Sequence, residues 1–415
     1  MIFTPYNDES QVINRVHKFN PEEYALIRIT PTMIEKNNTD ANGIFRDILY
    51  SGKLVDYDKL LPGGGNGTSI MATFIQQDKC TEVKLKFYLV SNSRGDRRFS
   101  IETLKRKKQE REINVGDLLY FSVIKEQENN SRIIMINLTH NIPDEKMLEM
   151  VLGTDKVAEA LSELMPKIKE IVKKGFHDNS KGEGTYSPKD AGDTLEYLLG
   201  IQTNNRAEAD YKGIEIKSKV SRTLDTLFTL RPRFEGTSIE KYEPVDRNRV
   251  SAYARYYGYF SDKHPDAKSL YITIGSKENP QNNQGFYLEV KEENKLVELW
   301  GKNPDTNKDE VTAYWTFDEL REELYKKHPA TLWVKAESRT VGNMVQFKYT
   351  EMELSRTPQF MTFLALIKSG GITYDWRGYT SLSGKYSGKN HGNAWRIKPQ
   401  YKSQLFGEIE VLDII

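Results

Sequence analysis

Alternation of apolar and polar positions with a period of two dominates the first third of the chain. The runs EYALIRIT (23–30), TSIMATFI (68–75), EVKLKFYLV (82–90), DLLYFSVI (117–124) and RIIMINLT (132–139) all carry it, and each predicts a strand. LPGGGNGTS (61–69) interrupts the pattern with clustered glycines and reads as a loop. A turn at Val115-Gly116-Asp117 leads into the next apolar strand. The period changes at Pro143. VAEALSELMPKIKEIVKKG (157–175) has helical spacing and stops at glycine, and DTLEYLLGI (193–201) is a second helix ending near Gly200. Between them HDNSKGEGTYSPKDAGD (177–193) is a polar loop, in which Ser187-Pro188 marks a helix start. Strands are then expected at 213–220, 226–230, 269–275, 285–290, 295–301, 330–337 and 344–354, with helices at 247–260, 318–328 and 357–371. The pattern divides the chain into an all-β part (1–142), a short linker (143–150) and an α/β part (151–415), with no internal repeat.

Composition adds bounds. A chain of 415 residues suggests two domains or three, and 38% hydrophobic residues suffice for real cores. Cys80 is the single cysteine, which excludes a disulfide framework and a thiolate zinc cluster and fits a reducing cytoplasm. MIFTPYNDES lacks the basic and apolar regions of a signal peptide, and no stretch is long enough to span a bilayer. The formal net charge is +1, so any nucleic-acid surface has to be local. There is no H-E-x-x-H, and His17, His140, His177, His264, His328 and His391 are scattered, which disfavours zinc hydrolase chemistry. Neither a phosphate-cradling loop nor a dinucleotide fingerprint occurs.

Three segments carry candidate chemistry. In DYKGIEIKSK (210–219), strand alternation places Glu215 and Lys217 on one face and Ile214 and Ile216 on the other. Gly213 permits a bend that returns Asp210 toward Glu215. Two carboxylates and the Ile216 carbonyl then form a hard oxygen site suited to Mg²⁺, with Lys217 beside it to orient water. Taken alone the motif reads rather as a solvated edge strand; the preceding helix with Glu196 and the polar stretch QTNNRAEAD, the following strand and the unusual tail favour the metal site. In the tail, 370–399, Arg377 or Arg396 can pair with guanine O6 and N7, Asp375 can accept from a cytosine amino group, His391 can donate to guanine, and Tyr379 and Trp395 can brace the segment. The alternative is a long surface hairpin. In SNSRGDRRFSIETLKRKKQER (91–111) eight cations, among them Arg94, Arg97, Arg98 and Lys105, face three acids; such density suits phosphate contacts, though a charge run is usually a solvated face. NNTDANGIFRD (37–47), with Asn42 and Arg46, is a second candidate DNA-facing arm.

GDTLEYLLGI, DYKGIEIKSK and TLFTLRP together resemble the catalytic core of MvaI/BcnI-type restriction endonucleases, relatives of the mismatch-repair nickase MutH within the PD-(D/E)XK nuclease fold. The resemblance covers roughly 150–415. It implies that Asp210, Glu215 and Lys217 are catalytic, on a strand pair, with Asp210, Glu215 and Ile216 holding Mg²⁺ and Glu196 supporting the site. It also implies that Asp375, Arg377 and His391 read base edges in a recognition lobe, with Arg396 and Lys398 as further candidates. The arrangement S-x-x-G-D-R-R-F with GD-x-L-x-F resembles the EcoRII amino-terminal domain, a β-pseudobarrel that grips DNA with two arms, here near 28–46 and 91–108. Enzymes so built resemble Type IIE restriction enzymes: monomers acting at CCWGG-like sites, with double-stranded DNA as both substrate and effector and a host methyltransferase as system partner. Two other functions stay open, a MutH-like nicking nuclease and a non-enzymatic DNA-binding regulator.

Overall fold

The computed structural model describes residues 5–105, 112–125, 130–184, 186–187, 189–201, 209–220 and 224–414, with Lys105 described for its backbone only. The stretch 202–208, most of the polar run before the motif, and Pro188 lie outside the described residues. The chain forms two compact units divided between Glu159 and Ala160. Among the described residues no helix is long and apolar enough to cross a membrane.

The amino-terminal unit is built on a seven-stranded sheet, ordered Tyr24–Arg28, Leu118–Lys125, Ser131–Asn137, Thr68–Ile75, Cys80–Leu89, Arg97–Ile101, Thr39–Asp40. Every predicted strand is present. The expectation of an all-β unit is corrected: helices Asn7–Phe19, Pro31–Lys36, Gly43–Ser51 and Glu145–Leu152 cover the sheet. Their signals are in the sequence. Val12, Ile13 and Val16 recur at helical spacing and are buried, and Asn42 caps a helix whose Phe45, Ile48 and Leu49 enter the core. Segment 143–150 supplies the first turns of Glu145–Leu152, and Leu148 is fully buried in this unit.

The carboxyl-terminal unit holds two sheets that matter for function. The first runs Ile409–Val411, Met344–Arg356, Ala330–Val341, Glu215–Lys219, with the motif strand parallel to its neighbour at the edge. The second runs Asp225–Thr229, Ala394–Ile397, Ile372–Ser381, His264–Ile274, Tyr259–Ser261. A three-stranded meander, Tyr287–Lys291, Leu296–Lys302 and Asp309–Thr316, packs beside it; its last strand was not anticipated. The tail is therefore only in part a surface hairpin: Ile372–Ser381 and Ala394–Ile397 lie within the sheet, and Gly388–Asn390 returns along Gly378–Thr380 on the exposed side. Tyr374, Trp376 and Trp395 point from the second sheet into the core, where Trp315 meets Trp395 edge-on at 5.0 Å between centroids. Rings of this size each remove roughly 150–250 Å² from water, so the sheet is anchored by its back face. Trp395 is fully buried and cannot brace a ligand on the front.

Candidate functional site

The motif is shaped by its turn. Tyr211 N donates to Ile214 O at 2.9 Å and Ile214 N donates to Tyr211 O at 2.7 Å. Between them Lys212 has φ 43° and Gly213 φ 84°. Positive φ at both central positions is a type I′ turn, the tightest reversal a strand can make. A side chain at Gly213 would meet nothing, so it is the backbone angle that requires glycine. Lys212, in the costlier left-handed state, is held by Glu163 at 2.6 Å, and the Tyr211 hydroxyl donates to the same carboxylate at 2.9 Å. Lys212 is thus occupied within the fold.

The turn lays Asp210 back along the strand. Its Oδ2 accepts from Ile216 N at 2.8 Å. In a strand the N–H and C=O of one residue point to the same edge, so the Ile216 carbonyl also lies on the Asp210 side. Ile214 and Ile216 are buried beneath, and Glu215 and Lys217 share the other face, their Oε1 and Nζ 3.2 Å apart. Glu215 is only 7% exposed, and its Oε2 is buried without a hydrogen-bond partner. Asp210 stands in a bend before the turn rather than on a second strand; the isolated bridge beside it is made by Tyr211, to Ile214.

Glu196 sits half-buried on helix Asp190–Leu199, which ends at Gly200 in the left-handed conformation. Burial first, then the charges of Asp210, Asp193 and Glu215, push its carboxyl up to about 7. Burial likewise raises Glu215, with Lys217 opposing. Asp210, Glu215 and Glu196 gather about Lys217, and with the bare buried oxygen of Glu215 they form a donor set that fits a hard divalent cation. Among the described residues no three His, Cys, Asp or Glu side chains are spaced to hold a metal, so the fit rests on Asp210, Glu215 and the Ile216 carbonyl.

The second sheet gathers the tail residues. Asp375 and Arg377 alternate on Ile372–Ser381, and Arg396 stands on the neighbouring strand opposite Thr373. Asp375 is 2% exposed and engaged on both oxygens: Thr273 Oγ1 donates to Oδ1 at 2.7 Å, and Oδ2 lies 3.0 Å from Arg377 Nη2 and 2.6 Å from Arg396 Nε, the latter an ionic contact out of hydrogen-bond line. Asp375 therefore holds two arginines instead of standing free toward a cytosine. His391 is exposed, donates its backbone N–H to Arg377 O at 2.9 Å and sets its ring 6.0 Å from Tyr271. Lys398 fixes its backbone to Gly371 O and lines an open depression with Asp375, Arg377 and Arg396. Sequence reasoning missed Thr273, Tyr271 and Asn393, whose Oδ1 accepts from Arg377 N at 3.1 Å. The alternation Ser269, Tyr271, Thr273 marked a polar face, but not which strand it would join.

In the amino-terminal unit the expected arms are largely self-paired. Asn42 accepts from Phe45 N at 2.9 Å and donates to Leu26 O at 3.1 Å, so both ends of its side chain serve the fold. Arg97 lies 2.7 Å from Asp58, and Arg98 lies 3.0 Å from Asp40 and 3.3 Å from Asp96. Arg94 is exposed, and Arg46 is half-buried on its helix. The side chain of Lys105 and residues 106–111 lie outside the described residues.

Comparison with known proteins places these features. The model of the MvaI/BcnI restriction endonuclease family matches residues 165–406, which include Glu196, Asp210, Glu215, Lys217 and the tail residues Asp375 to Lys398. Among solved structures, a complex of restriction endonuclease MvaI with its cognate DNA substrate is 25% identical with TM-score 0.50, covering 62% of this chain and 99% of that one. MvaI in the absence of DNA is 22% identical with TM-score 0.37, covering 61% and 98%. None of the curated proteins matches the chain.

Proposed function

The chain belongs to the MvaI/BcnI restriction endonuclease family and is a type II site-specific endonuclease, and we propose that it cuts double-stranded DNA with Mg²⁺ at the Asp210–Glu215–Lys217 edge. The observation that carries this reading is the bare, buried Oε2 of Glu215 beside Asp210 and Lys217. The carboxylates of Asp210 and Glu215 and the Ile216 carbonyl would hold the cation, and Glu196 supports them from its helix. When bound, Mg²⁺ stabilises charge on the phosphoryl oxygens and the leaving 3′-oxygen. Lys217 orients the attacking water, kept in reach by its contact with Glu215. In-line attack leaves a 5′-phosphate and a 3′-hydroxyl. Arg377 and Arg396, fixed by Asp375, are set to meet guanine edges in the major groove, with His391 and Lys398 alongside.

The recognition sequence we propose is CC(A/T)GG or a close variant, cut by a monomer, with a methyltransferase protecting the host. The amino-terminal unit, as a separate β-pseudobarrel reader of the EcoRII type, binds a second DNA copy in the manner of Type IIE enzymes. Lys84 and Lys86 on strand Cys80–Leu89, together with Arg94, are exposed or half-exposed cations with no ion pair among the described residues, and they support phosphate contact better than the acid-paired Arg97 and Arg98. Incubating the purified chain with plasmid and Mg²⁺ and sequencing the fragment ends tests activity, site and stagger together. Discrete double-strand fragments with uniform ends are expected. Open circles alone, or intact plasmid on every DNA tried, would overturn the reading. A carboxyl-terminal fragment starting near 154 is expected to cut without responding to added effector DNA.

A further inference from the structure

The motif strand Glu215–Lys219 lies at a sheet edge and, among the described strands, pairs with Ala330–Val341 only. Half of its backbone ladder is thus missing, and an edge strand keeps its place only if side chains do the rest. Upstream, the Tyr211–Ile214 turn and the Asp210 contact do so. Downstream, Lys219 Nζ lies 2.6 Å from Asp225 Oδ1. Asp225 does not belong to the same sheet. It opens strand Asp225–Thr229 of the reading sheet, opposite Ile397, and the next residue, Thr226, is opposite Arg396.

Asp225 is 5% exposed, and its Oδ2 is buried without a partner. A buried carboxylate of this kind depends on a cation facing it, and among the described residues that ion pair is made by Lys219. Lys219 in turn falls on the same face as Glu215 and Lys217, by the period of two. Lys217, Lys219, Asp225 and Trp333 line one cavity on that face; Pro399 borders both this cavity and the depression formed by Asp375, Arg377 and Arg396.

We infer that the Lys219–Asp225 pair is a positioning tie that holds the cleaving strand in register with the reading sheet, so that base recognition and cleavage are coupled through it. The inference rests on the endonuclease reading above. Neither residue touches the reacting atoms; each acts by fixing where Glu215 and Lys217 stand.

Three variants of the full chain test the tie. Lys219→Met removes the charge and keeps most of the stem, Asp225→Asn neutralises the other partner, and Lys219→Arg preserves the pair. With a duplex carrying the mapped site, Lys219→Met is expected to lower the single-turnover rate in Mg²⁺ about 10²-fold, the effect of a small misplacement. Its Kd for the same duplex in Ca²⁺ should stay within about threefold of wild type, and Lys219→Arg should recover the rate to within about threefold. The rate difference between the site and a single-base variant should narrow. A Kd that rises in step with the rate loss would make Lys219 a phosphate contact and overturn the tie, as would an unchanged rate. Amide hydrogen exchange without DNA gives a readout independent of cleavage: Lys219→Met and Asp225→Asn should both speed exchange across 213–220 and leave 330–341 as in wild type. If the wild-type chain cuts no DNA, the endonuclease reading fails on its own, and unchanged exchange across 213–220 then decides against the tie.

Discussion

Glu215-Ile216-Lys217 and Asp375-Trp376-Arg377 are the same device written twice. In each, an acid and a cation two residues apart share one face of a strand, with closest nitrogen and oxygen 3.2 Å apart in the first and 3.0 Å in the second. Their surroundings make them opposites. Among the described residues Glu215 has one ion-pair partner, Lys217, with the charge of Lys327 farther off, one bare buried oxygen and two further acids nearby, Asp210 and Glu196. Asp375 has Thr273, Arg377 and Arg396 on its two oxygens. On the function proposed above, the first site would take a cation and the second would offer its pinned arginines to electron-rich base edges. The difference lies in the neighbours that the fold brings to each pair, since the local sequence pattern is nearly the same.

The comparison breaks most sharply at the cleaving edge. Asp210→Ala or Lys217→Ala is expected to lower single-turnover cleavage by about 10³-fold or more while DNA binding in Ca²⁺ is retained. Full cleavage by either variant in Mg²⁺ would remove these residues from the chemistry. At the reading face, Asp375→Asn frees both arginines, and discrimination against a changed G·C pair should fall by roughly 1–3 kcal/mol, measured as the ratio of Kd values for matched and altered duplexes. An undiminished ratio would make Asp375 a purely structural acid.

Smaller effects sharpen the account of how the cleaving edge is built. Gly213→Ala forces a side chain into φ 84°, at a cost of roughly 1–2 kcal/mol. In a unit of this size that lowers Tm by roughly 2–4 °C per kcal/mol. Cleavage should fall along with Tm, because the turn carries Asp210. Glu196 supplies the mildest test. Its folded pKa is raised from 4.5 to about 7, so the folded form binds the proton more tightly than the unfolded chain. Its stabilising contribution is therefore present below about 4.5 and is lost as pH rises through 7. Glu196→Gln should flatten the Tm profile across that window. Mg²⁺ should raise the Tm of the wild type more at about pH 8 than at about pH 5.5, because the ionised carboxylates bind the ion. An equal rise at both pH values would count against the acidic cluster as the cation site.

Much of this molecule was written locally. Period-two runs placed five of the seven amino-terminal strands, Arg97–Ile101 and Thr39–Asp40 lying inside segments read as DNA-facing arms, and alternation in GIEIK separated Glu215 and Lys217 from the buried isoleucines. Gly213 marked the reversal that returns Asp210, since glycine takes a φ of 84° without strain. The amino-terminal helices are less legible because their apolar stripes, Val12, Ile13 and Val16 and then Phe45, Ile48 and Leu49, are short and set among polar residues.

What the sequence by itself determined is which residue types can do the chemistry and which of them share a strand face, because the alternation of side chains is a property of a single strand. Tertiary structure alone decided what each of them is bound to. Thr273 reaches Asp375 from a strand about a hundred residues away, and Lys219 is answered by an acid that belongs to another sheet. Asn42 and Arg98, promising as DNA contacts in the sequence, are taken up by a helix cap and by Asp40 and Asp96. Ionic and hydrogen-bonded partners are chosen by sheet order and strand register, which long-range packing fixes and no short stretch encodes.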